Sequence, residues 1–382
     1  MSSWSEARNI LAVRLDNIGD VVMLGPALRA VKESTPGTRI TLLASPAGAT
    51  GAPLLPWIDD LIVWRSLWQD LGHLPFDPAR EWELVKLLAE RAFDAALIFT
   101  SFSQTPHVPG YVCYLAGIPL RAGESKEFGG RCLTTELKPA PDDLHQAERN
   151  LRLVESLGFV ARDRRLRIAI PEAAREGARE RLAESGLDPA GPFVLLHPGA
   201  SAHARRYPPE QSGEVAELLA RRGWPVLVTG VEREKALIET VSRRAPAAHC
   251  LLGKTSLSEY AAIVERAALV ICGNTLPLHL ADAVGTPVLV LYSGTDYEEQ
   301  WRPRVTRARL LRRPTPCHPC YLFQCPIGLP CLDISPEEVA EAAEEVLAPD
   351  RRRPTADGQE ADFGAVAAVG GQWSAVEIGV GS

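Results

Sequence analysis

Two segments of this chain carry residue types that do chemistry when held at strand ends. The first is NILAVRLDNIGDVVMLGPALRAVKE, residues 9–33. Ile10–Leu15 reads as a buried parallel strand, Asp16-Asn17-Ile18-Gly19 as a tight turn, and Asp20 as the residue that opens a helix with apolar positions at Val21, Leu24, Leu28 and Val31. A carboxylate at the carboxyl end of such a strand sits where open α/β sheets bind ligands, and it can take a proton from a substrate hydroxyl. The plainer alternatives are that Asp20 is an N-cap and that Gly19 supplies an unusual backbone angle. The second segment is ICGNTLPLHLADAVGTP, residues 271–287. An apolar run ends at Cys272, Gly273-Asn274-Thr275 break it, and Pro277 suits a first helical turn, where a missing N–H costs nothing. A helix start aimed out of a strand end favours anions. His279 lies four residues past Thr275, about one turn on, so both side chains can face one ligand. Side-chain capping by Asn274 or Thr275 is the alternative reading.

The elements needed to hold these segments alternate along the chain. In the first half, strands are expected at Ile10–Leu15, Arg39–Ala44, Leu61–Trp64 and Ala95–Phe99, with helices near 21–33 and 79–92. Thr100–Leu137 reads as irregular, and helix returns at Leu144–Leu157. The second half begins with a strand at Phe193–Leu196. Strands follow at 225–229, 248–252, 269–272 and 287–292, with helices at 208–222, 232–244, 257–267 and 277–284 between them. This alternation predicts parallel sheets wrapped by helices. The expected domains are 1–170 and 193–348, joined by a Pro- and charge-rich linker with a flanking helix at 171–192. A polar, Gly/Ala-rich tail, expected to be disordered, follows from 349 to 382.

Six motifs in order give the chain a resemblance: RLDNIGDVVMLGPALRA (14–30), LLHPGASAHARRYPPE (195–210), VLVTGVEREKAL (226–237), GKTSLSEYAAIV (253–264), CGNTLPLHLADAVGTPVLVLY (272–292) and the cysteine-rich end at 317–331. Together they resemble glycosyltransferase family nine, the ADP-heptose:lipopolysaccharide heptosyltransferases and their relatives, over most of residues 9–345. The resemblance implies a GT-B architecture, two doubly wound Rossmann-like domains facing a cleft. The N-terminal domain would be the acceptor side and the C-terminal domain would bind the nucleotide sugar. It also implies inverting transfer of a sugar from an ADP-sugar to a hydroxyl of a glycan or glycolipid.

In that scheme Gly19-Asp20 matches the family's Gly-Asp motif, and Asp20 is the candidate base. Asp16 is read as a turn residue. Arg205 occupies the place of a basic residue ahead of the aromatic-Pro step and could clamp phosphate oxygens; the alternative is a solvated surface pair with Arg206. The turn His197-Pro198-Gly199-Ala200-Ser201 would approach phosphate through backbone N–H groups and the Ser201 hydroxyl. Asn274, Thr275, Leu276 and Pro277 would hold the diphosphate. Thr229 and Glu234 would face the nucleotide, with Glu234 on the ribose and Glu232 as its alternative. Lys254, Thr255 and Leu257 would line the adenine pocket, and Ser256 is either part of it or a cap closed by Glu259. Many family members have Asp-Thr-Gly-Pro where this chain has Asn274-Thr275-Leu276-Pro277. That departure raises a catalytically weakened nucleotide-sugar-binding homologue as the alternative. A dinucleotide oxidoreductase is disfavoured, because no G-x-G-x-x-G follows Leu15.

Composition sets the remaining bounds. The 382 residues are 46% hydrophobic and 23% charged, with a formal net charge of -7, which suits two soluble cores and argues against a general nucleic-acid binder. MSSWSEARNI lacks a charged start followed by an apolar h-region, and no run of about eighteen apolar residues occurs, so a cytoplasmic protein is expected, with transient contact at the inner membrane if the acceptor is a lipid. No cofactor is expected. No Asp-x-Asp pair stands at a strand end, so transfer is expected to need no divalent metal. Cys113, Cys132, Cys250 and Cys272 read as buried thiols. Cys317, Cys320, Cys325 and Cys331, with His318 among them, read as a structural segment of free thiols or a disulfide ahead of a zinc knuckle or an iron–sulfur cluster. The segment is expected to lie outside the phosphate turn.

Overall fold

The computed structural model describes residues 3–70, 72 and 74–348; the expected tail lies outside these residues. They divide into two compact units at Ile168/Ala169, each built on one six-stranded sheet. In the first unit the strands are β1 Asn9–Arg14, β2 Arg39–Ala44, β3 Asp60–Val63, β4 Ala95–Ile98, β5 Leu120–Glu124 and β6 Thr135–Leu137. In the second they are β7 Val194–His197, β8 Val226–Gly230, β9 His249–Leu252, β10 Leu269–Cys272, β11 Val288–Leu291 and β12 Ala308–Leu311.

All pairings are parallel. The spatial order is β3-β2-β1-β4-β5-β6 in the first sheet and β12-β11-β10-β7-β8-β9 in the second. Counted within its own unit, each sheet has the order 3-2-1-4-5-6, the doubly wound arrangement in which ligands bind beyond the carboxyl ends of the two central strands. Register makes those ends coincide: Val13 pairs with Ile98, and His197 with Cys272. The turns after β1 and β4 are therefore neighbours, as are those after β7 and β10.

The strands are apolar on both faces because helices cover both. Along β1, Ile10 and Ala12 join one core cluster while Leu11 and Val13 join the other, all at most 2% exposed. In the second unit Val194, Leu196, Ile271 and Leu289 point into the core shared with the helix Pro336–Leu347.

Two expectations are corrected. The helix expected at 21–33 is two helices, Ile18–Val22 and Gly25–Ser34. Pro26 has no N–H to give Val22, and its ring crowds that carbonyl, so the turn breaks at Met23–Leu24. Thr100–Leu137 is not irregular; it holds the helix His107–Leu115 and strands β5 and β6. Its Gly and Pro residues have packing roles there. Pro109 sits in the first helical turn, where proline is tolerated, and a Cβ on Gly110 would stand 2.9 Å from the Leu133 side chain. The helix expected to flank the linker is Glu172–Glu184, whose Gly177 admits Glu259 and whose Arg175 pairs with Glu265 at 2.8 Å.

Candidate functional site

The turn after β1 is built around Arg14, which is fully buried although charged. Its Nη2 donates to Asp20 Oδ1 at 2.8 Å and to Ser101 Oγ, from the turn after β4, at 2.9 Å. Its Nε lies 2.9 Å from Asp16 Oδ2 as an ion pair without hydrogen-bond alignment, and Nη1 has no hydrogen-bond partner among the described residues. Gln104, also after β4, donates to Asp16 Oδ1, and Ser45 donates to the Asp16 carbonyl. Burial pushes the Asp16 carboxyl above its ordinary range, as does the Asp20 charge, against the lowering pull of Arg14 and Gln104.

Asp20 is thus tethered rather than free. It is the third residue of the helix that begins at Ile18, not its cap; Asn17 is the N-cap, and its N–H donates to Asp20 Oδ2 at 3.2 Å. Gly19 is an ordinary helical residue, so the alternative of an unusual backbone angle there does not hold. Asp16 is more than a turn residue, because it shares the Arg14 guanidinium with Asp20. Arg14, Ser101 and Gln104 escaped the sequence reading. A lone arginine closing an otherwise apolar strand run was the available signal.

In the second unit the turns after β7, β10 and β11 carry the basic and hydroxyl groups. Arg205 lies in the short 3-10 turn His203–Arg205, with Nη2 2.7 Å from Asp296 Oδ2 and Nε donating to Thr295 Oγ1 at 3.2 Å. Asp296 is itself buried and accepts from Thr295 Oγ1 at 2.6 Å. Arg206 donates through Nε and Nη2 to the Ala200 carbonyl at 2.8 and 2.6 Å, fastening the turn that ends at the exposed Ser201. The two arginines are therefore anchored, not a solvated pair. Asp296 and Thr295 were missed, although Ser293-Gly294-Thr295-Asp296 is another polar break after an apolar run.

The helix Leu276–Val284 starts beside this arginine. Thr275 is its N-cap by backbone conformation, but its hydroxyl is buried without a hydrogen-bond partner among the described residues and makes no capping bond. Asn274 is buried and donates to the Tyr292 hydroxyl at 3.2 Å, which in turn donates to the Tyr297 carbonyl. Gly273 lets the backbones meet, because a Cβ there would stand 2.8 Å from the Arg205 carbonyl. Leu276 is half-buried, and Pro277 and His279 are buried. Burial pushes the His279 imidazole down to about 4, so it is neutral at pH 7.

Glu234 is 5% exposed and lies over the turn after β7: a Cβ on Gly199 would stand 2.3 Å from its Oε1. Its Oε2 accepts from the Val231 N–H at 3.1 Å. Glu232 is exposed and lies against Gly253 instead. Thr229 is buried at the end of β8, with its hydroxyl 3.2 Å from His197 Nδ1 and 3.3 Å from the Tyr260 hydroxyl. Burial drives the His197 imidazole toward its neutral form against the opposing pull of Glu234. Lys254 is exposed, Thr255 and Leu257 are half-buried, and Ser256 caps the helix Leu257–Arg266, accepting from the Glu259 N–H while Glu259 accepts from its own N–H.

All eight cysteines are free thiols, so the segment 317–331 contains no disulfide. Cys250 is exposed and Cys132 half-buried, against the buried state expected of both. Among the described residues no group of three or more His, Cys, Asp or Glu could hold a metal ion. The cysteine segment is not remote from the phosphate turn. Cys320 N–H donates to the Gly294 carbonyl at 3.1 Å, Tyr321 N–H to the Thr295 carbonyl at 2.8 Å, and Ala204 N–H to the Phe323 carbonyl at 2.9 Å. It clasps the two turns that hold Arg205 and its partners.

Both units thus place their polar groups beyond the carboxyl ends of the central strands, a tethered acid in one and an anchored cation with an unpaired hydroxyl in the other. Residues 82–329 match the family model for glycosyltransferase family 9 (heptosyltransferase). Lipopolysaccharide heptosyltransferase 3 of Escherichia coli K12 is 24% identical over 296 residues, 75% of this chain and 82% of that protein. A family 9 glycosyl transferase from Veillonella parvula superposes with a TM-score of 0.73 at 20% identity, covering 89% of this chain and 97% of that one. The E. coli ADP-heptose lps heptosyltransferase II gives a TM-score of 0.69 at 19% identity, covering 89% and 98%. The fold is accordingly the GT-B-like pair of parallel-sheet α/β domains. The chain belongs to glycosyltransferase family 9, the heptosyltransferase family.

Proposed function

We propose that this protein is an inverting, metal-independent transferase that moves a heptose-type sugar from an ADP-sugar to a hydroxyl of a lipopolysaccharide-type glycan. The observation that carries this reading is the division of labour between the two switch points. Asp20 has one oxygen on Arg14 and the other on a backbone N–H, which fixes its orientation as a base. The developing charge on the leaving diphosphate is met by Arg205, the Thr275 hydroxyl and the opening of the helix Leu276–Val284. Glu234, buried over Gly199, suits acceptance from ribose hydroxyls, and Thr255 and Leu257 suit the adenine side. Similarity to a lipopolysaccharide heptosyltransferase and to an ADP-heptose lps heptosyltransferase supports the ADP-heptose donor and the lipopolysaccharide acceptor. With a lipid-borne acceptor the enzyme would work at the cytoplasmic face of the inner membrane. No described helix is long and apolar enough to cross a membrane.

A second reading, a nucleotide-sugar-binding homologue with weakened transfer, is favoured by one observation. Asn274 stands where many members carry Asp, and its amide is spent on Tyr292. One experiment separates the two: calorimetry with ADP, UDP and GDP, followed by transfer from ADP-heptose to a deacylated lipopolysaccharide core. ADP preference with transfer supports the enzyme, and ADP preference without transfer supports the binder. Preference for UDP overturns the donor assignment.

A further inference from the structure

We propose that Arg14 and Asp16 are positioning residues for Asp20, one buried guanidinium divided between two carboxylates so that the state of Asp16 sets how much of its charge Asp20 keeps. The inference rests on the reading of Asp20 as the base and adds what controls that base.

The geometry is unusual in its stoichiometry. Arg14 is 0% exposed and contributes one positive charge, while two carboxylates reach it, Asp20 at 2.8 Å and Asp16 at 2.9 Å. A buried ion pair is ordinarily matched one to one, because an uncompensated charge away from water is costly. The surrounding elements do not restore the balance. From the end of β2 comes the Ser45 hydroxyl, and from the turn after β4 come Ser101 and Gln104, all neutral. The charged groups acting on Asp16 are Arg14 and Asp20. Two acids that share one cation this closely titrate as a pair, and the second proton leaves with more difficulty than the first.

The arrangement has a consequence for a base. A carboxylate that owned Arg14 outright would be a weaker proton acceptor, because an adjacent guanidinium favours its ionised form. Ionised Asp16 draws on the same guanidinium through Nε and repels the charge on Asp20, which makes Asp20 the better acceptor. Gln104 holds Asp16 in place by donating to its other oxygen. Asp16 touches no reacting atom in this account; it acts through Arg14.

The test is a carboxyl-carbon NMR titration of the full chain labelled at aspartate, with the Asp16 and Asp20 signals assigned by their loss in Asp16→Asn and Asp20→Asn. In Asp16→Asn the Asp20 signal should titrate about one pH unit lower than in the parent, since Arg14 is then undivided. In Asp20→Asn the Asp16 signal should fall by a similar amount, since coupling is reciprocal. The acid limb of the pH–kcat profile for ADP-heptose transfer should move with the Asp20 signal in Asp16→Asn. A merely structural Asp16 would lower the melting temperature and leave the Asp20 titration in place, and that result overturns the proposal. The reciprocal variant decides the matter should Asp16→Asn fold poorly. The base reading fails separately: parent-like turnover in Asp20→Asn removes it while leaving the titration coupling intact.

Discussion

A carboxylate is a weak base toward a sugar hydroxyl, so Asp20 acts late, as the attacking hydroxyl becomes acidic. Asp20→Asn keeps the shape and one acceptor oxygen for Arg14, gives up the bond from the Asn17 N–H, and cannot accept a proton. Transfer should fall by a factor of about 100 or more while ADP affinity, measured by calorimetry, stays within a few-fold. Turnover near that of the parent would falsify the assignment. On the donor side, Arg205→Ala removes a cation already shared with Asp296. Loss of a charge-assisted contact is worth about 1.5–3 kcal/mol, so the ADP dissociation constant should rise ten- to a hundredfold and the rate should drop. If neither changes, Arg205 serves only to pin the Thr295 turn. Glu234→Gln should weaken ADP by about 1–2 kcal/mol, the order of one such hydrogen bond. An unchanged affinity there would move the ribose contact to Glu232.

At the scale of elements, the turns are held by one another. The cysteine segment hydrogen-bonds both the Gly294-Thr295 turn and Ala204, the residue before Arg205. A Cys320→Ser, Cys325→Ser pair should therefore lower the melting temperature and also weaken ADP. Calorimetry and thermal melting on the same variant check this, and loss of stability with unchanged ADP affinity would show that the clasp does not position the site. This coupling was invisible in the sequence, since it depends on backbone groups far apart in the chain, Gly294 with Cys320 and Ala204 with Phe323, whose pairing no side-chain pattern announces. Strand β2 was legible to the residue because its apolar run is bounded by charge and turn signals. The helix His107–Leu115 was not, because Pro109 and Gly110 are breakers by propensity and the close approach of Leu133 that Gly110 permits is a tertiary fact. The same limit explains the site. Asp20, Arg205, Glu234 and Thr275 stand in motifs. Arg14 closes the same strand β1, whereas Ser101 and Gln104 come from the turn after β4 and Asp296 from the turn after β11, strand ends that only the sheet order brings alongside.

Across the whole molecule, buried titratable groups give the two units opposite responses to acid. In the second unit His279 is held down to about 4 by burial, and burial lowers His197 as well. A histidine depressed in the folded state leaves stability untouched above its unfolded pKa of about 6.5, where both states are neutral. Below that the unfolded chain takes up a proton that the folded chain refuses, so stability falls until the pH passes the folded value. In the first unit Asp16 is shifted upward. Its folded form retains a proton that the unfolded chain has lost, so its contribution is fully present below the unfolded pKa and fades as pH rises through the folded one. Between pH 6.5 and 5 His279 therefore makes the second unit the acid-labile one, at up to about 1.4 kcal/mol per pH unit, and His197 acts in the same direction. Urea unfolding followed at pH 7, 6 and 5 should show a steep loss of stability in the parent. In His279→Gln, which cannot titrate in this range, the slope should be shallower by about 1.4 kcal/mol per pH unit. Saturating ADP should raise the stability of both proteins at each pH by RT ln(1 + [ADP]/Kd), which separates a change of affinity from a change of proton uptake. Equal slopes in parent and variant would mean that His279 takes up its proton over the same pH range folded and unfolded, so that burial beside Thr275 does not hold the imidazole neutral.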